Sequence, residues 1–524
     1  KSLFILYNFI SSFENLFIFY IRKMAETKTA FSSKFHLHKR RHYVNELRSE
    51  NINITTPSAD NTNNFSNGII TFEIGAVNDI IDLRKAYFRV KWIYTKANNT
   101  NITPGAEVND RNGFIIENNW FYKCFSQIDM RINGASAETV TAPGEVDTAL
   151  KNIFYTYLHK QTGSNSGWIT DKGDGRAVNF PIITPAVAGI DDPTSIVNVR
   201  NKINEMLPSL NTLSNSQEIN IGYLDRKNKF PVIDTANATT RPYEQDFPIF
   251  PLFGFFTQER VFRGNAFTFQ LTISGDYQNK ILFGSSTSAD IGVRIMNIEL
   301  HTPIYEAAAP LQSFIFDQLK KDIEVFYLHR DYITRNIPAT SNTYDLELGI
   351  TRRRPHYIFV WFKLPSSRTG RRVNDDIYYL KSDTVTELPL QDSDPIIPAV
   401  TEFQLKSIRL KIDSQQFPKN LPLILDPVSN DVNDLIKYYQ EFCRDHSYTV
   451  PQFTPMEFLE NHAVAIFDLS AQVENTANLG LNISLTITKT GNQSVDVHIL
   501  KLEEKASMLK EDRSFVNDIP LKSF

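Results

Sequence analysis

For chemistry, the chain offers ten histidines, two cysteines and a scatter of carboxylates. His36 and His38 form the closest histidine pair, but Lys39, Arg40 and Arg41 follow at once and their charge opposes a bound cation. Asp171-Lys172-Gly173-Asp174-Gly175 has the acids and glycines of a calcium loop, yet Ile182 stands where a bidentate glutamate should close the coordination shell. Gly163-Ser164-Asn165-Ser166-Gly167 lacks the central serine of a nucleophile elbow. Neither Cys124 nor Cys443 has a histidine near it in sequence, and no glycine-rich phosphate loop follows a strand pattern. Asp375-Asp376 and the pair Asp392 and Asp394 are carboxylates on which a β-sandwich glycosidase could draw, a reaction that needs convergent geometry. Surface acids of this kind are common, so the sequence predicts no enzyme, no catalytic residue, no metal site and no cofactor.

One run has a better claim on a ligand. Within residues 36–48, Lys39, Arg40 and Arg41 could lie against nucleic-acid phosphates, with Tyr43 offering a stacking face. The plainer reading is a solvated basic arm. Arg352, Arg353 and Arg354 pose the same choice ahead of Pro355, with acids of a neighbouring subunit as further partners.

The whole chain limits these readings. Its 524 residues carry a net charge of −4, so any nucleic-acid contact must be local rather than a property of the surface field. Two cysteines argue against a disulfide framework. Residues 1–23 are aromatic and aliphatic, but Asn8, Glu14 and Asn15 interrupt them and no cleavage signature follows. They are expected to be translated upstream DNA ahead of Met24, the rival reading being an interfacial anchor. No membrane insertion is expected.

The positioning elements are strands. Phe88, Val90, Trp92 and Tyr94 alternate with Arg89, Lys91 and Ile93, while Phe267, Phe269, Leu271 and Ile273, and Leu481, Ile483, Leu485 and Ile487, alternate with polar neighbours, the period that sends one row of side chains to a core. Val293 and Ile295 fall out of phase with Met296, Ile298 and Leu300, which predicts a bulge. Helical spacing predicts short helices over 144–160, 431–446 and 455–461, the last opened by Thr454 and Pro455 and the second by Ser429 or Asn430. Pro248 and Pro251 exclude a regular central strand over the phenylalanine-dense run 247–256. Phe253, Phe255 and Phe256 are therefore expected either to seal a core or to meet a neighbouring subunit. Residues 161–217 read as a long loop insertion, and 301–313 as the boundary between two β-rich units of similar size, each a candidate antiparallel sandwich.

The order of these segments resembles a family. Residues 77–94, 250–273 and 291–307, then 401–423, the helix at 433–443, and 454–472 with 479–487, are similar in series to the double jelly-roll major capsid proteins of Polinton (Maverick) elements and polinton-like viruses, relatives of the adenovirus and virophage capsid lineage. The resemblance implies an all-β fold of two eight-stranded antiparallel sandwiches side by side, with short helices in connections. It divides the chain into an arm at 24–68, a first jelly roll at 69–305, a linker at 306–320, a second roll at 321–505 and a tail at 506–524. It further implies a homotrimer forming a pseudo-hexagonal capsomer in an icosahedral shell of the virion, with penton and minor capsid proteins as partners. Lys39, Arg40 and Arg41 would make weak, non-specific contact with packaged DNA. The alternatives are a carbohydrate-binding or carbohydrate-active sandwich and a host protein derived from a capsid gene.

Overall fold

The computed structural model describes residues 52–53, 68–75, 80–96, 114–155, 168–171, 222, 225–226, 229–231, 241–257, 262–284, 291–302, 304–305, 322–351, 355–365, 376–383, 401–413, 415–417, 421–427, 429–447, 451–470, 481–510, 512–517 and 519. Expectations for residues 1–23, for Lys39, Arg40 and Arg41, for most of the 161–217 insertion, for the 306–320 linker, and for Arg352 to Arg354, Asp375, Asp392 and Asp394 lie outside the described residues.

The first unit contains β1 (Ile52–Asn53), β2 (Ile69–Ile74), β3 (Ile80–Ile81), β4 (Tyr87–Lys96), β5 (Phe114–Ile116), β6 (Phe125–Ile132), β7 (Ala135–Thr141), β8 (Tyr243–Pro248), β9 (Phe262–Arg263), β10 (Phe267–Ile273), β11 (Leu282–Gly284), β12 (Ile291–His301) and β13 (Ile304–Tyr305). Its two main sheets run β1-β12-β4-β8 and β2-β10-β6-β7, while the short β3, β5, β9, β11 and β13 form small sheets of their own. Counted along the chain, the eight main strands are therefore ordered 1-8-3-6 in one sheet and 2-7-4-5 in the other. Each sheet draws on both ends and the middle of the segment, which nests two Greek keys.

The second unit contains β14 (Ile323–Ile337), β15 (Thr343–Thr351), β16 (Pro355–Lys363), β17 (Lys381–Asp383), β18 (Thr401–Ile412), β19 (Gln415–Phe417), β20 (Leu423–Ile424), β21 (Ala465–Asp468), β22 (Leu481–Thr490), β23 (Val495–Leu509) and β24 (Phe515–Val516). One sheet runs β14-β23-β16-β21; in the other, β15-β22-β18 is completed by β17, β20 and β19 along the free edge of β18. With β19 and β20 in fifth place, the orders are again 1-8-3-6 and 2-7-4-5. Pro418 and Pro422, which cannot donate to a ladder, separate the two pieces.

Alternation places the cores. Phe267, Phe269, Leu271 and Ile273 of β10 are buried, as are Ile483, Leu485 and Ile487 of β22. In β12 the pairing with β4 shifts between Ile295 and Asn297, so the bulge falls on Met296. Val293, Ile295, Ile298 and Leu300 all point inward while Met296 is exposed. Met296 thus absorbs the phase change instead of sharing a face with Ile298 and Leu300.

Short helices occupy connections, among them α1 (Trp120–Lys123), α2 (Pro143–Phe154), α3 (Tyr277–Ile281), α4 (Asn433–Ser447) and α5 (Pro455–Asn461). Thr454 caps α5 through a reciprocal box with Glu457, and Ser429 caps the 3₁₀ turn leading into α4. Helix α2 stops at Phe154, short of the expected residue 160, where Tyr155 turns extended.

Deleting Met296 should remove the bulge and leave Val293, Ile295, Ile298 and Leu300 in one unbroken inward row, because taking out the extra residue restores strict alternation against β4. The cooperative thermal transition should therefore survive the deletion on calorimetry, and Met296→Ala, which keeps the extra residue, should stay within about 1 kcal/mol of the parent.

Candidate functional site: the seam between the two sandwiches

Several buried charges of this protein gather where the two units touch. Glu138 sits on the edge strand β7 with its side chain excluded from solvent. Its Oε2 accepts the Phe255 N–H at 3.1 Å from its own unit, and its Oε1 accepts the Arg330 N–H at 3.3 Å from β14 of the other. His329 Nδ1 lies 3.4 Å from Oε1. Burial alone would raise this carboxyl, but His329, Arg330 and the Phe255 N–H together hold it below the ordinary carboxylate value.

Arg330 returns the contact. Its Nη2 donates to the Pro251 carbonyl at 2.9 Å, and Nη1 donates to the Leu328 carbonyl. Burial pulls the guanidinium down to about 10, against the pull of Glu138, so it remains charged at neutral pH. Between the two groups lies Gly254, where a Cβ would overlap the Leu328 carbonyl oxygen and press on Arg330 Nη1. Only a residue without a side chain lets the backbones approach this closely.

The phenylalanine run divides around that point. Phe253, Phe255 and Phe256 are all buried within the chain. Phe253 and Phe256 pack on each other and on Phe269 of the first core. Phe255 stacks on Phe262 at 5.2 Å and presents its edge contacts to Tyr327 and Phe515 of the second unit. The preceding β8 ends at Pro248 and is an edge strand, as the prolines require.

Three further joints cross the seam. At the end of α2, Gln452 Nε2 donates to the Lys151 and Asn152 carbonyls at 2.8 Å each, and Cys443 Sγ to the Ile153 carbonyl at 3.3 Å, satisfying groups that a helix end leaves unpaired. Near the C-terminus, Asn517 Nδ2 donates to the Ser136 and Ala137 carbonyls of β7 at 3.0 and 2.9 Å, and the Tyr327 hydroxyl also donates to Ala137. Charged pairs complete the set: Lys123 lies 2.7 Å from Asp376 and 3.5 Å from Glu117, and Lys363 lies 2.7 Å from Glu145.

No protein-family model matches the chain, and no curated protein matches it. A chain of the Sputnik virophage, from a cryo-electron microscopy structure, superposes with a TM-score of 0.52 at 11% identity, over 93% of this chain and 92% of that one. The chain is a double jelly roll. Two further superpositions are looser: the mavirus major capsid protein, with a TM-score of 0.47 at 12% identity over 88% and 90% of the two chains, and the Faustovirus major capsid protein, with 0.44 at 10% over 87% and 88%. The fold assignment rests on strand order and on the Sputnik superposition.

Within this double jelly roll, the candidate carboxylates have other work. Asp376 is paired with Lys123, and Asp171, from the calcium-like stretch, is held by Arg226 at 2.8 Å. Among the described residues no cluster of three or more His, Cys, Asp or Glu could hold a metal ion. Cys124 and Cys443 are buried thiols outside any disulfide, and burial pushes both up, Cys443 to about 12, so neither is a ready nucleophile. Sequence reasoning passed over Glu138, Gly254, Arg330, Gln452 and Asn517. Glu138 alone left a signal, as a charge in phase with the inward Val140.

Gly254→Ala should force the two rolls apart locally and cost at least about 1–3 kcal/mol, measured as a drop in the urea midpoint. Glu138 contributes stability that is complete above its ordinary value of 4.5 and is lost as pH falls through its lower folded value. Glu138→Gln should therefore be about 3–5 kcal/mol less stable than the parent at pH 7, a gap that narrows in acid when urea denaturation is repeated across pH.

Proposed function

We propose that this protein is a major capsid subunit with no enzymatic role, which closes with two further copies into a pseudo-hexagonal trimer and tiles an icosahedral shell around double-stranded DNA. The reading favours the kind of particle encoded by Polinton elements and polinton-like viruses, and with it a location in the virion. The observation that carries it is the duplicated strand permutation within one chain, joined through unlike edges. The first roll offers β7, fifth in its order, and the second offers β14, first in its order, with Tyr327 of β14 bonded to Ala137 of β7. A contact between unlike edges leaves unlike edges open at the far sides, the condition for copies to add by rotation and close a ring. Three such chains carry six rolls, enough to approximate a hexagon.

In this reading Phe255 serves the joint inside each chain, Phe253 and Phe256 fill the core of the first roll, and the trimer contact draws on other surfaces. The long insertion at 161–217 decorates the capsomer top, while Lys39, Arg40 and Arg41 face the interior and its DNA. Penton and minor capsid proteins complete the shell.

Protein expressed from Met24 should elute as a species near three times its own chain mass, or as larger assemblies, on size exclusion with light scattering. Negative-stain images should show pseudo-hexagonal particles; a stable monomer retained by immobilised glycans would reverse the assignment. Neutralising Lys39, Arg40 and Arg41 together should lower the nucleic acid that co-purifies, read from absorbance ratio, and weaken its dependence on salt.

A further inference from the structure

Asn119, Asp147 and Lys151 form a buried cluster in the first roll. Asn119 precedes α1 with its backbone in the left-handed region, φ 53°, and Asp147 and Lys151 stand one turn apart on α2. All three residues are at most 2% exposed. Lys151 Nζ lies 2.5 Å from Asp147 Oδ2 and donates to Asn119 Oδ1 at 3.2 Å. Asn119 Nδ2 donates to the same Asp147 Oδ2 at 2.8 Å and to Thr148 Oγ1 at 3.0 Å. A single carboxyl oxygen thus touches both the amine and the amide nitrogen. Three aromatic rings enclose the amine, those of Tyr122, Trp168 and Tyr155 at 5.0, 5.5 and 6.0 Å. Gln452, across the seam, fixes the Lys151 backbone through its carbonyl.

We propose that Lys151 and Asn119 are joined by an intramolecular isopeptide bond that forms without a cofactor as the roll folds, with Asp147 carrying the protons. The chemistry needs a neutral amine, a carbonyl carbon beside it and an acid that reaches both partners. Burial supplies the first condition: it lowers the Lys151 amine and raises the Asp147 carboxyl, each against the attraction of the other, so the proton resides more readily on the acid than it would in water. Lys151 Nζ attacks Asn119 Cγ. Asp147 delivers its proton to Nδ2 and takes one from Nζ in its place, the Cγ–Nδ2 bond breaks, and ammonia leaves. One C–N bond forms, one breaks, the acid ends as it began, and no oxidant or reductant takes part. The ring of apolar side chains keeps out the water that would compete for Cγ.

The Lys123, Asp376 and Glu117 cluster differs in a way that marks the contrast. There the Lys123 amine meets two carboxylates, Asp376 at 2.7 Å and Glu117 at 3.5 Å, instead of an amide. Condensation there would release water instead of ammonia.

The product would close a loop between residues 32 apart in sequence, tying α1 to α2 around the β6–β7 hairpin. Intact mass spectrometry of the purified full-length protein under denaturing conditions tests it, followed by peptide mapping. The expected result is a chain lighter than its sequence by one ammonia, with a branched peptide containing both Asn119 and Lys151. An unmodified mass, a loss of water, or an ammonia loss mapped to a succinimide or to another pair overturns the proposal. Asp147→Ala and Lys151→Arg should each keep the full sequence mass, with circular dichroism confirming the fold; a cross-link that persists in Asp147→Ala removes Asp147 from its role.

Discussion

A carboxylate sealed from water sets the relation of the two rolls. Glu138 has two oxygens to satisfy, and it spends one on the Phe255 N–H of its own roll and the other on the Arg330 N–H of the next. Both bonds form only when the two backbones sit at one separation and one register. An unpaired buried charge costs several kcal/mol, so a slipped or loosened seam is penalised steeply. The absent side chain at Gly254 makes that separation reachable, and Arg330 then binds the Pro251 carbonyl to hold the turn in place.

Polar groups and apolar groups divide the labour at this joint. Each net hydrogen bond contributes about 0.5–1.5 kcal/mol, while a phenylalanine fully removed from water contributes about 1.5–3 kcal/mol. Phe255 between Phe262, Tyr327 and Phe515, and Phe154 against Phe442, therefore supply most of the attraction. The ion pairs of Lys123 and Lys363 add less net stability than their number suggests, since desolvation offsets their attraction; their use is in rejecting other alignments.

What could be read from the amino-acid order was what depends on neighbours along the chain. The alternation of β10 and β22, the bulge in β12, the capping box at Thr454 and the exclusion of a central strand at Pro248 all follow from local sterics and periodicity. Strand order within a sheet is not local; the family resemblance implied two jelly rolls, and the order itself is seen only in the fold. The seam was invisible because its partners lie far apart, 192 residues for Glu138 and Arg330 and 380 for Ala137 and Asn517. Helix α2 shows the same limit from the other side: its pattern suggests continuation to residue 160, but its last carbonyls are claimed at Phe154 by groups from the other roll. Phe253 and Phe255, two residues apart, serve different cores, a distinction no periodicity carries.

The end of α2 also bears on how the protein is made. Its terminal carbonyls are closed by Cys443 and Gln452, and the β7 edge by Asn517, all of which leave the ribosome long after the first roll is complete. At ordinary elongation rates of about 5–20 residues per second, that roll waits tens of seconds with its bonding face open. During that interval it is a sticky nascent chain, and neighbouring copies on one message compete with its own unfinished half for the same face. Translation speed through the second half, and any chaperone that shields the first, thus become determinants of yield that the finished molecule no longer displays.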